Sequence, residues 1–115
     1  MDERVVKTWK VNFFQTARGD RPVEIFIDEQ DMTMRTKIAL SIELLRIQGP
    51  FLKPPYSKKL QDKLYELRIS GTVAIRIFYT IKNSEYYLLH AFKKKSQKTP
   101  RKELKIAIDR AKEFI

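Results

Sequence analysis

Two arginines carry the clearest chemical signal in this sequence. Arg68 and Arg76 each lie in the middle of a run that reads as a strand, Leu64–Ser70 and Val73–Ile81. Arginine rarely occupies the middle of a sheet unless its head group meets water, a carboxylate or a bound anion. If both project from one open face, two planar guanidinium groups converge where a phosphodiester can lie. A structural reading stands beside this one, because Glu66 shares a strand face with Arg68 and the two can form an ion pair on a solvated sheet. Lys93, Lys94 and Lys95, then Lys98 and Arg101, concentrate positive charge where the last strand feeds a helix, and Lys58 and Lys59 add two cations near the strand that holds Arg68. A lysine run is often only solvated surface. This one follows a strand expected beside Arg76, so it is read with the arginines as a phosphate-binding group. His90, the single histidine, is read either as a packed core residue or as a proton carrier.

The chemistry open to such a set is cleavage of RNA by its own 2′-hydroxyl, which needs neither a metal nor a protein nucleophile. It needs ribose and phosphate held in line, a group to take the 2′-proton, charge stabilisation on the phosphorane and a proton for the leaving 5′-oxygen. Arginines and lysines serve the charge requirement. A lysine or histidine in a crowded positive site can exchange protons, and Tyr79, Tyr86 and Tyr87 offer stacking planes or hydroxyl groups. The chain has no histidine pair, so activity on free RNA is expected to be weak.

Charge points the same way. The net charge is +10, and it is unevenly placed: residues 1–57 carry nine basic and eight acidic side chains, residues 58–115 fifteen and six. Such asymmetry within one small domain sets up a positive field over one surface, which attracts polyanions. The absence of cysteine excludes disulfides and thiolate zinc sites, and one histidine leaves too few ligands for an ordinary zinc site. No metal or cofactor is therefore expected. No apolar run approaches the roughly 18–20 residues of a membrane span, and Met1–Lys10 lacks the apolar core of a secretory signal. The expectation is a single cytoplasmic domain over residues 1–115, with 43% hydrophobic residues to build its core.

The elements that must position these residues follow from the hydrophobic pattern. Val5–Phe14 reads as a strand, Val23–Glu29 as a short helix after Pro22, and Met32–Gln48 as a longer one ended by Gly49-Pro50. Its stripe is Met34, Ile38, Ile42 and Leu45, widened by Leu44 and Ile47. Phe51–Ser57, with Pro54-Pro55, reads as an extended loop. Three strands follow, Leu64–Ser70, Val73–Ile81 and Glu85–Phe92, joined by turns at Gly71-Thr72 and Lys82-Asn83-Ser84. Alternation in the last strand sets Tyr86, Leu88, His90 and Phe92 against Tyr87, Leu89 and Ala91. After the basic loop Lys93–Lys98, Thr99 is expected to cap a final helix with Pro100 in its first turn and an apolar stripe of Leu104, Ala107, Ile108, Ala111 and Ile115. The fold class is α+β, in the order β-α-α-β-β-β-α, with helices on one face of an antiparallel sheet and the other face partly free for binding.

The stretch Lys58-Lys59-Leu60, then Leu64-Tyr65-Glu66-Leu67-Arg68, Ile75-Arg76-Ile77-Phe78-Tyr79 and Leu88 through Pro100, ending in a helix with Ala107 and Ala111, resembles the RelE/ParE toxin superfamily. It is most similar to the phage-derived, HigB-like branch. The resemblance is specific over Lys58–Ala111 and one of element order before that. It implies a RelE-like fold and the toxin of a type II toxin–antitoxin pair, neutralised by a partner that often carries a helix-turn-helix domain. It also implies metal-independent cleavage of mRNA in the ribosomal A site. By position, Arg68 and Arg76 match the family's strand arginines, Lys93–Lys95 its catalytic end of the last strand, and Lys58 and Lys59 the basic start of its second strand. Some relatives carry a histidine or tyrosine where this chain has lysines, which leaves the general base unassigned.

Three rival readings are open to this sequence. A ParE-like toxin that inhibits DNA gyrase shares the fold, and only the strand arginines and Lys93–Lys95 speak against it. An RNA-binding module without cleavage needs base-stacking aromatics on the open face. A DNA-binding regulator needs a recognition helix that the sequence does not display.

Overall fold

The structure, a computed structural model, describes residues 7–114. Five strands form one sheet: β1 (Lys10–Phe13), β2 (Ser57–Gln61), β3 (Leu64–Ile69), β4 (Ala74–Lys82) and β5 (Glu85–Lys94). Their spatial order is β1-β5-β4-β3-β2, with β1 parallel to β5 and every other pair antiparallel. The α+β class is as expected. The first strand is shorter than the pattern predicts, and Val5 and Val6 lie outside the described residues.

Helices α1 (Pro22–Asp28) and α2 (Met32–Gln48) form where the periodicity places them. Asp31 caps α2 by accepting the Met34 N–H at 2.8 Å. Gly49 stops it with φ +52°, and its N–H reaches the Leu45 carbonyl. A Cβ at Gly49 would lie 2.4 Å from the Trp9 ring, so close packing as well as backbone conformation requires glycine there. Ile38 and Leu45 are fully buried, whereas Ile47 is exposed, so the buried stripe is narrower than the sequence pattern.

Two expectations from the sequence pattern fail, each for a local reason. Ser57–Gln61 is a strand, where a loop running into the start of the next strand was expected. It is an edge strand, and Lys58 and Lys59, which mask its hydrophobic signal, are the charged residues that keep such an edge from pairing with another chain. In β5 the simple alternation breaks because Tyr79 faces Leu88 while Phe78 faces His90, leaving Leu89 as a bulge. Tyr86, Leu88 and Ala91 therefore join one core cluster, and Leu89 and Phe92 the other.

The helices are also distributed differently from the one-face expectation. Val23, Ile38 and Leu45 of α1 and α2 pack with Leu67, Ile77 and Leu88 on one face of the sheet. On the other face α3 (Arg101–Ala111) packs Ala107 and Ala111 on Leu64, Phe78, Leu89 and Phe92. Pro100 precedes the first turn of α3, and no side chain caps it, so Thr99 does not play the expected part. The α3 stripe of Leu104, Ala107, Ile108 and Ala111 is as read, while Ile115 lies outside the described residues. Because α3 lies over β4 and β5, it leaves Arg68 of β3 partly exposed on the same face, beside the buried Glu66.

Candidate functional site

The register of β3 against β4 sets Arg68 directly opposite Arg76. Like charges placed face to face across two strands repel. Glu66, two residues before Arg68 on the same face, answers that repulsion. Its Oε1 accepts from Arg68 Nε at 3.0 Å and lies 3.7 Å from Arg76 Nε. The carboxylate is 1% exposed, against 29% for Arg68 and 14% for Arg76. Arg76 also donates from Nη1 to its neighbour's carbonyl, Ile75 O, at 3.0 Å. Burial pulls Arg76 below the usual arginine pKa; the Glu66 charge opposes that shift and Arg68 adds to it.

The ion pair and the anion-site reading of these arginines are thus compatible. Glu66 engages Arg68 through Nε, and the two terminal amino groups of Arg68 have no hydrogen-bond partner among the described residues. Those groups are the half of the guanidinium fork that suits a phosphate. Two buried polar atoms, Glu66 Oε2 and Arg76 Nε, also lack partners among the described residues.

Arg76 extends into a shallow groove of about 420 Å³, lined by Ala74, Arg76, Lys94, Lys95, Ser96 and Gln97. Lys94 enters it because it stands opposite Ala74 in the β4–β5 register, on the arginine face. Lys93, opposite Ile75, falls on the other face and lines a separate hollow with Met34, Lys37 and Thr72. The lysine run is therefore split by strand alternation: Lys94 and Lys95 join Arg76, and Lys93 does not. Lys98 lies in the loop that follows, where its carbonyl accepts from Ser96 Oγ at 3.0 Å, and Arg101 begins α3; both are exposed, and neither lines the groove. On the edge strand Lys58 stands opposite Glu66, and Lys59 opposite Tyr65.

His90 lies between other partners. Its ring is stacked near Phe78 and Phe92, with centroids 6.5 and 6.1 Å away. Nε2 meets the Glu103 carboxylate of α3, and Nδ1 lies 3.4 Å from Arg110 Nη1. Arginine can only donate, so Nδ1 accepts and Nε2 carries the proton it gives to Glu103. Arg110 also donates to Leu89 O at 2.7 Å. Both imidazole nitrogens thus serve the contact between β5 and α3.

Sequence reasoning missed three parts of this picture. Ser96 and Gln97, polar groove walls, lie in a loop without periodicity. Glu103 and Arg110, the partners of His90, carry no signal until α3 is docked. The sequence pattern suggests Glu66 as a solvated partner of Arg68, whereas it is buried and faces Phe78 in register. Among the described residues no cluster of three His, Cys, Asp or Glu side chains comes together, and no helix is long and apolar enough to cross a membrane.

Residues 25–112 match the family model described as "Phage derived protein Gp49-like (DUF891)", which covers well over half of the chain. No curated protein matches the sequence.

Proposed function

We propose that this chain, which belongs to the phage-derived Gp49-like family of toxin-like proteins of the RelE/HigB type, is a toxin that cleaves mRNA on the ribosome. The observation that supports this reading most directly is the Arg68–Glu66–Arg76 arrangement opening beside Arg76, Lys94 and Lys95 of the groove. Two guanidinium groups set opposite each other, with their Nε edges turned to a buried carboxylate, leave terminal amino groups for the non-bridging oxygens of a phosphodiester. Lys94 and Lys95 add point charges where the phosphorane gathers negative charge.

The reaction is an internal transfer. The 2′-oxygen attacks the adjacent phosphorus while its proton leaves, and the bond from phosphorus to the 5′-oxygen breaks. The products are a 2′,3′-cyclic phosphate and a 5′-hydroxyl end. The amines of Lys94 and Lys95 are the groove groups able to exchange the two protons, since the His90 nitrogens are held by Glu103 and Arg110. The ribosome supplies the part the groove lacks, an mRNA held in line for attack.

Membership in a toxin-like family implies an antitoxin partner. We assign that role to a protein of helix-turn-helix type that blocks the basic groove; the place of action is the cytoplasm, where translated mRNA is found. The test is a purified reaction with labelled mRNA, with and without translating ribosomes. The proposal expects new ends bearing 5′-hydroxyl and cyclic phosphate, made by the wild type and not by a folded Arg68→Ala/Arg76→Ala variant. Intact mRNA in both would refute it.

A further inference from the structure

On the other side of the sheet from the arginine pair, a hollow of about 300 Å³ opens beside the edge strand β2. Three tyrosines line it. Tyr65 and Tyr79 stack with ring centroids 5.3 Å apart and 16° between their planes, and Tyr86 stands edge-on to Tyr79 at 5.6 Å. The Tyr79 hydroxyl is engaged by Ser57 Oγ at 2.5 Å. The hydroxyls of Tyr65 and Tyr86 have no hydrogen-bond partner among the described residues and stay open to solvent. Lys53, Lys58 and Lys59 also line the hollow, all of them exposed.

Aromatic walls, two unengaged phenol hydroxyls and a cationic rim specify a ligand that is flat, polar at its edge and attached to anions. A base on a sugar–phosphate strand has those properties. An aromatic side chain of a protein would fill the walls but give Lys53 and Lys59 nothing to pair with. We propose that this hollow binds one unpaired base of the RNA whose phosphate lies at Arg68 and Arg76, a reading that rests on the RNA substrate proposed above. The connection runs over β2. Lys59 stands opposite Tyr65 on the side of the hollow, and its neighbour Lys58 stands opposite Glu66, the residue that holds the arginines, on the other side. Tyr65 and Arg68 are three residues apart on β3, about 10 Å along the strand, so a short stretch of single strand rounding this edge reaches both. The hollow then selects the base and the arginine face binds the phosphate.

The experiment is an NMR titration of the full chain with four non-cleavable 2′-O-methyl tetranucleotides, one for each base. The proposal expects the Tyr65, Ile81 and Tyr86 side-chain signals to shift together with those of Arg68 and Arg76, and one base to bind best. Tyr65→Ala should weaken that ligand about tenfold, the scale of one lost base stack. Tyr86→Phe, which removes a single oxygen, should change the ranking of the four bases. Arg68→Ala/Arg76→Ala should weaken all four alike. Shifts confined to the arginine face, with Tyr65→Ala and Tyr86→Phe binding as the wild type does, would overturn the base site and leave the RNA reading standing. Failure of all four to bind would overturn both.

Discussion

Arg68 and Arg76 face each other across β3 and β4, and a single oxygen of Glu66 lies 3.0 Å from one Nε and 3.7 Å from the other. The pair is held together by a carboxylate that solvent barely reaches. This relationship holds two mutually repelling cations as one fixed cationic face, at the edge of the region α3 covers.

Glu66 should therefore matter for stability as well as for the site. Glu66→Ala leaves Arg76 beside Arg68 with no compensating charge. The expected cost is about 3 kcal/mol, at the low end for a broken buried ion pair because both guanidinium groups retain some water. Urea unfolding measures it. In an Arg68→Ala/Arg76→Ala background the same change should cost less, as coupled sites require. Equal costs in the two backgrounds would show that Glu66 acts independently of the arginines.

His90 should prove to be a fastener between β5 and α3. With Nε2 on Glu103 and Nδ1 beside Arg110, His90→Ala is expected to lower stability by about 2 kcal/mol, within the usual span for a lost packed and bonded side chain. RNA cleavage by the folded fraction should change little. A loss of cleavage by orders of magnitude at unchanged stability would instead make His90 a proton carrier.

Much of this was legible in the residues, for identifiable reasons. The α2 helix runs to its predicted limits because the stripe through Ile38 and Leu45 and the stop at Gly49-Pro50 give the same answer. Arg68 and Arg76 stood out because charge in the middle of an apolar strand needs a partner. Their direct opposition depends on register, which the Gly71-Thr72 turn indicates only roughly. What stayed hidden were effects of tertiary contact. The Leu89 bulge reverses the face of His90, and no residue type announces a bulge of this kind. The strand Ser57–Gln61 is concealed by the charges that suit it to an edge. The assignment of Lys94 but not Lys93 to the groove follows from the strand continuing past Phe92 to Lys94, where the lysine run by itself reads as loop.

Tyr79 supplies a pH test. Burial pushes its phenol up to about 12, against a smaller pull downward from the Ser57 hydrogen bond. Folding thus holds the neutral form. The resulting stability is complete below pH 10, the ordinary tyrosine value, and is lost as pH rises towards about 12. The gap corresponds to roughly 2–3 kcal/mol. Urea midpoints taken between pH 9 and pH 12 should fall more steeply for the wild type than for Tyr79→Phe. At pH 9 Tyr79→Phe should itself be less stable by about 1 kcal/mol, since the buried Ser57 loses its partner. Parallel pH curves for the two proteins would contradict the assignment.

The most direct test of the central claim is a brief induction of this protein in a bacterial host, with mRNA 5′ ends mapped against a folded Arg68→Ala/Arg76→Ala control. The account predicts new 5′ ends within translated regions, in phase with the reading frame, and a drop of at least about a hundredfold in the control, the scale of losing charge stabilisation at the reacting group. Growth arrest with intact mRNA and signs of DNA damage would contradict it and place the chain with the gyrase inhibitors.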